Sequence, residues 1–149
     1  MSVETNLTAA QRDDLRVIAA MIIPASTEYK VPGADDAAVQ ADIIATLGRD
    51  TALVSAALDH LARLAGKPLS ELDAERREAV ATEFRATGGA AAATLTRVVL
   101  QCYYRDDRVL RSLGLELRPP FPQGYVLPQG DWSLLDPVKK RAPSLRRTS

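Results

Sequence analysis

His60 is the only histidine in the chain and stands in the run Leu58-Asp59-His60-Leu61-Ala62-Arg63-Leu64. An imidazole is the side chain best placed to exchange a proton near neutral pH. General-base work also needs an orienting group and a nucleophile or substrate within hydrogen-bond reach. Asp59 is the nearest acid, but neighbours i and i+1 do not face each other on a helix. His60 shares a helical stripe with Leu53, Ala57 and Leu64. The expectation is a partly buried imidazole satisfied by a neighbour. Cys102 is the only cysteine, so an internal disulfide is excluded. It lies in the apolar run VVLQCYY and reads as a small buried hydrophobe. One Cys and one His do not supply a metal cluster.

Other chemical signatures are missing. There is no G-x-S-x-G elbow, no G-x-G-x-x-G after a strand and no P-loop. Gly88-Gly89 reads as a break between helices. Asp13-Asp14 and Asp35-Asp36 read as caps and first-turn charges on wet faces. No catalytic, cofactor-binding or metal-binding residue is assigned. A stand-alone helical enzyme or interaction module working through His60 is kept as the alternative reading.

Residues suited to a protein interface are concentrated near the C-terminal end. Tyr103 and Tyr104 close an apolar helix and point about 100° apart, so either one finishes the core while the other faces outward, or both plug the base of the bundle. Arg105, Arg108 and Arg111 follow at a spacing of three. Six prolines then punctuate the segment from Gly114: Pro119, Pro120, Pro122, Pro128, Pro137 and Pro143. Phe121, Tyr125, Leu127 and Trp132 stand among them. Disordered tails are poor in such side chains, and proline-rich strips lose little entropy on docking. Pro119-Pro120-Phe121-Pro122 is expected to be extended, as polyproline. The candidate partner interface is therefore Tyr103, Tyr104, Arg105, Arg108, Arg111, Pro120, Phe121, Pro122, Tyr125 and Trp132. The arm to about Trp132 is expected to lie on the bundle, and the basic end KKRAPSLRR to reach elsewhere.

The elements that position these residues are helical. Thr8 and Gln11 make a capping-box pattern before Leu15, Ile18, Ala19 and Ile22. Pro24 ends that helix. Asp35 or Asp36 caps a second helix through Val39, Ile43, Ile44 and Leu47. Asp50 or Thr51 caps a third, with Leu53, Ala57, Leu61 and Leu64 as its face, Val54 and Leu58 flanking, and Gly66 as its stop. A fourth runs from Asp73 to about Ala86, with Ala79, Val80, Glu83 and Phe84 inward. A fifth, Ala90 to about Tyr104, is the most apolar and is expected to be central. A short sixth spans Asp106 to Leu113. No helix is expected after Gly114. The fold class is all-α: a small bundle of five to six helices (1–113) with an extended Pro-rich C-terminal arm (114–149) of the same domain.

The totals agree with one domain. A chain of 149 residues buries a core without staples. Its 19 basic and 19 acidic residues cancel, which removes the electrostatic case for a nucleic-acid partner. Acidic residues exceed basic ones by three before Gly114, and the reverse holds after it. Residues 1–20 carry charges and no continuous apolar core, so no signal peptide is read. No run reaches the ~18–20 apolar residues of a membrane span. The expected location is cytoplasmic.

MIIPASTEYKVPGADDA at 21–37, YYRDDRVLRSLGLELRPPFPQGY at 103–125 and GDW at 130–132 carry a family likeness. Over about residues 8–132 the chain resembles the gluconate 2-dehydrogenase subunit 3 family. That family is the small non-flavin subunit accompanying FAD-dependent, GMC-type sugar and alcohol dehydrogenases. The resemblance implies a non-catalytic subunit that stabilises or chaperones a large flavoprotein. FAD would belong to that partner, with a cytochrome c subunit as a further candidate partner. Many family members begin with a twin-arginine export signal, which residues 1–20 lack. A periplasmic location, by removal of a signal or export with a partner, is the alternative to the cytoplasmic one.

Overall fold

The computed structural model describes residues 7–118, 121–124, 126 and 128–141. Two compact units divide the chain, Met1–Leu117 and Arg118–Ser149. The first holds six helices: α1 (Ala9–Ile22), α2 (Ala37–Thr46), α3 (Thr51–Ala65), α4 (Ala74–Thr87), α5 (Gly89–Tyr103) and α6 (Asp107–Ser112). Among the described residues the only β pairing is an isolated bridge, Ser26 to Val31. The all-α bundle expected from the helical periods is what the chain forms.

Local chemistry sets the helix ends. Thr8 and Gln11 form the full capping box at α1, each side chain bonded to the other's backbone N–H. Asp36, not Asp35, caps α2 by accepting from Ala38 N at 3.0 Å. Asp73 caps α4 by accepting from Arg76 N at 2.7 Å. Gly66 closes α3 in the left-handed region at φ 72°, its N–H donating to Ala62 O. At Gly88 the constraint is space. A Cβ there would lie 2.5 Å from Ala92 Cβ and 2.7 Å from Phe84 O, so only glycine lets α4 turn directly into α5.

α5 packs against α1, α2, α3 and α4, and α3 against α1, α4 and α5. Leu15, Val54, Leu58, Leu61, Val80, Leu95 and Val99 meet in the centre, essentially without solvent contact. Two expected faces are rotated. On α3 the buried line is Val54, Ala57, Leu58 and Leu61, while Leu53 is 42% exposed. α3 has neighbours on three sides, so the broad apolar arc turns its middle inward and leaves one edge out. On α4 only Val80 and Phe84 are buried, and Ala79 and Glu83 are exposed. That helix touches α3 and α5 along a single line.

Asp14 corrects its reading as a first-turn charge on a wet face. It is buried, and its Oδ1 accepts from Leu69 N at 2.9 Å. That N–H opens a single 3₁₀ turn, Leu69–Glu71, and the carboxylate of α1 supplies its missing acceptor.

The second unit also departs from expectation. A 3₁₀ turn at Trp132–Leu135 runs into a short helix, α7 (Asp136–Lys139). Asp131 starts the pair by accepting from Ser133 N at 3.0 Å. Pro137 sits at the start of α7, where a missing N–H costs nothing. The prolines had marked this stretch as non-helical, yet one of them stands where proline favours a helix. Residues 121–123 form a turn, with a cis peptide before Pro122, whereas Pro119 and Pro120 of the expected polyproline strip lie outside the described residues.

Candidate functional site

The last turn of α5 and the first of α6 bring Tyr103, Tyr104, Arg105 and Arg108 beside α2. Tyr103 and Tyr104 make an edge-to-face pair, centroids 5.3 Å apart at 89°. Tyr103 is only 3% exposed, and its hydroxyl donates to Pro32 O at 3.0 Å. Burial pushes its phenol above the ordinary range. Tyr103 is thus a core residue, not an interface one. It fills the space under the 23–36 loop and holds that loop by its backbone. Gln40 pins the same loop, its Nε2 donating to Ala34 O at 2.8 Å from a buried position. Tyr104 faces outward at 51% exposure.

The arginine row does not form one open face. Arg105 precedes α6 and turns to α2, donating from Nε to Asp42 Oδ2 at 2.6 Å and from Nη2 to Thr46 Oγ1 at 2.9 Å. Arg108 grips Asp36 through Nη1 and Nη2 at 3.2 and 2.7 Å. It also grips Asp106 through Nε and Nη2 at 3.0 and 2.8 Å. Asp36 and Asp106 are the N-caps of α2 and α6. One guanidinium therefore clamps two helix starts, where negative charge is favoured. Arg111 stays at the surface with a loose 3.7 Å pair to Asp107.

Hydrogen bonds from Arg108 are the largest cause holding the Asp36 and Asp106 carboxyls below the ordinary value of 3.8. A folded value below the unfolded one means stability that is present above the ordinary value. It is lost as pH falls through the depressed folded values. Urea midpoints of wild type and Arg108→Ala at pH 7 and pH 3 test this. The wild type should lose more stability on acidification, and the gap between the two proteins should be smaller at pH 3 than at pH 7. A gap that stays constant with pH would exclude the clamp.

Cys102 is buried as expected. Its Sγ lies 3.5 Å from Arg105 Nη2 and 3.6 Å from Thr46 Oγ1. Burial is the main cause that pushes the thiol up, away from the reactive thiolate.

His60 sits between Phe84, edge-on at 5.7 Å between centroids, and Thr87, with Nε2 3.3 Å from Oγ1. The Thr87 hydroxyl donates its one proton to Glu83 O at 2.8 Å. Asp59 is occupied by Gln11 Nε2 at 2.9 Å. Among the described residues no three His, Cys, Asp or Glu side chains gather as a metal site, and no helix is long and apolar enough to cross a membrane.

Phe121, Pro122 and Trp132 belong to the second unit, where Phe121 is 85% and Trp132 65% exposed. Pro120 and Tyr125 lie outside the described residues. Sequence reasoning missed the next residues in this group, Leu134 and Val138, which are also exposed. The spacing of four within LLDPV was the available signal, hidden by the proline between them. No family model, curated protein or solved structure matches the chain.

Proposed function

We propose that this chain is a non-catalytic small subunit of an FAD-dependent, GMC-type sugar or alcohol oxidoreductase. In this reading it binds the large flavoprotein and stabilises or chaperones it, and FAD stays in that partner. The observation carrying the proposal is the concentration of exposed large apolar side chains after Ser112. Leu113, Leu115, Phe121, Trp132, Leu134 and Val138 are each more than half exposed. A soluble monomer rarely keeps so many in water, whereas interfaces favour Trp and Phe. The motifs at 21–37, 103–125 and 130–132 supply the class of partner by resemblance. The hydrogen-bond pattern at His60 gives no support to the stand-alone enzyme.

Co-expression with a GMC-type flavoprotein encoded beside this chain is the test. The expected result is a flavin-coloured complex of fixed stoichiometry, and poor recovery of soluble flavoprotein without the small chain. A flavoprotein equally soluble and fully flavinylated alone, with no co-purifying small chain, would overturn the reading.

A further inference from the structure

An open groove of about 840 Å³ runs along the bundle between α1, α4 and α5. Met21 and Ile22 form one wall, Ala81 and Phe84 the other, and Ala92 and Ala93 the floor. Small side chains on a wall and a floor let another helix approach closely. α4 is also the least anchored long helix of the bundle. Its 14 residues bury only Val80 and Phe84, whereas the 15 residues of α5 bury seven.

Two charges mark the α4 rim. Glu78 and Arg85 both line the groove, two turns apart on one face of the helix. Neither side chain makes a hydrogen bond or ion pair among the described residues. Their arrangement is self-complementary. A two-fold axis between Ala81 and Thr82 places a second α4 antiparallel to the first. Glu78 of each copy then faces Arg85 of the other, twice. Ala81 at the crossing permits the ~8 Å lower end of helix separations.

We propose that this groove is the interface of a homodimer, with α4 packed antiparallel on α4 of a second copy. The occupant is another copy of this chain because opposite charges at i and i+7, centred on small residues, match their own two-fold image. A groove built for a different helix needs no such symmetry. The proposal stands apart from the flavoprotein reading. The groove lies in the first unit, and most of the apolar surface assigned to the flavoprotein lies after Ser112.

Sedimentation equilibrium of the full chain and three variants tests it. The wild type should show a concentration-dependent dimer. Glu78→Arg and Arg85→Glu place like charges opposite each other twice, so each should weaken the dimer at least about tenfold. The double variant Glu78→Arg/Arg85→Glu should recover wild-type association within a few-fold. Both positions are exposed, and circular dichroism should show unchanged helix in all four proteins. A wild type that stays monomeric at all concentrations overturns the proposal. So does a dimer indifferent to either single reversal, or one the double reversal fails to restore.

Discussion

Tyr103→Ala is expected to lower the free energy of unfolding by about 3–5 kcal/mol, the usual cost of removing a buried aromatic ring. Against a domain stability of about 5–15 kcal/mol, this is a large fraction. The ring is closed off from solvent beneath the 23–36 loop, and its hydroxyl holds Pro32 O at 3.0 Å. Tyr103→Phe keeps the ring and removes only the hydrogen bond, so it should cost about 1 kcal/mol. Tyr104→Ala removes an exposed ring and should change stability by less than about 0.5 kcal/mol. Urea denaturation of the three variants measures all of this. Hydrogen exchange adds a local readout, because the amides of Ser26, Val31 and Ala34 are hydrogen-bonded inside that loop. They should exchange faster in Tyr103→Phe while the α3 amides do not. Near-neutral stability in Tyr103→Ala would mean the ring is not the keystone it looks to be. Adjacent tyrosines would thus separate by role, one changing stability and the other only binding.

What was readable in the sequence was local. The capping box of Thr8 and Gln11, the Asp73 cap and the Gly66 stop depend on residues within four positions of one another, and each stands where the chain predicts it. What was not readable depends on partners far along the chain. Asp14 meets Leu69, Arg105 meets Asp42, and Arg108 meets Asp36. Periodicity along one helix says nothing about these pairings. It predicted a row of arginines but not that two of them face inward to α2. It left open whether both tyrosines of the pair plug the bundle or one faces outward, and did not say which. The face of α3 failed for a related reason. Leu53, Val54, Ala57, Leu58, Leu61 and Leu64 span an arc of about 140° on the helix, wide enough that only its neighbours decide which edge stays wet. The short α7 was missed because Pro137 was counted as a breaker, when a proline in a first turn is compatible with the helix after it.

A chain ending at Leu117 should keep its helical signal and lose the flavoprotein. Among the described residues every member of the buried core, from Leu7 to Val109, lies before that point, so the truncation removes none of them. The first unit therefore has the apolar burial it needs to fold by itself. The truncation does remove Phe121, Trp132, Leu134 and Val138, the exposed side chains on which the proposed contact rests. Aromatic anchors at interfaces commonly cost 2 kcal/mol or more when cut to alanine, roughly thirtyfold in affinity. Trp132→Ala and Phe121→Ala should each approach that loss, and the truncation should bring binding below detection. The outcomes separate three cases. Retained helix with lost binding places the contact in the C-terminal segment. Retained helix with retained binding puts the partner on the bundle and leaves Tyr104 and Arg111 as the residues to test next. A fall in helicity beyond the eight residues of Trp132–Leu135 and Asp136–Lys139 would mean that the segment stabilises the bundle itself. In that last case a binding defect would be secondary to unfolding, and only the two alanine variants, which leave the chain length unchanged, would still report on the interface.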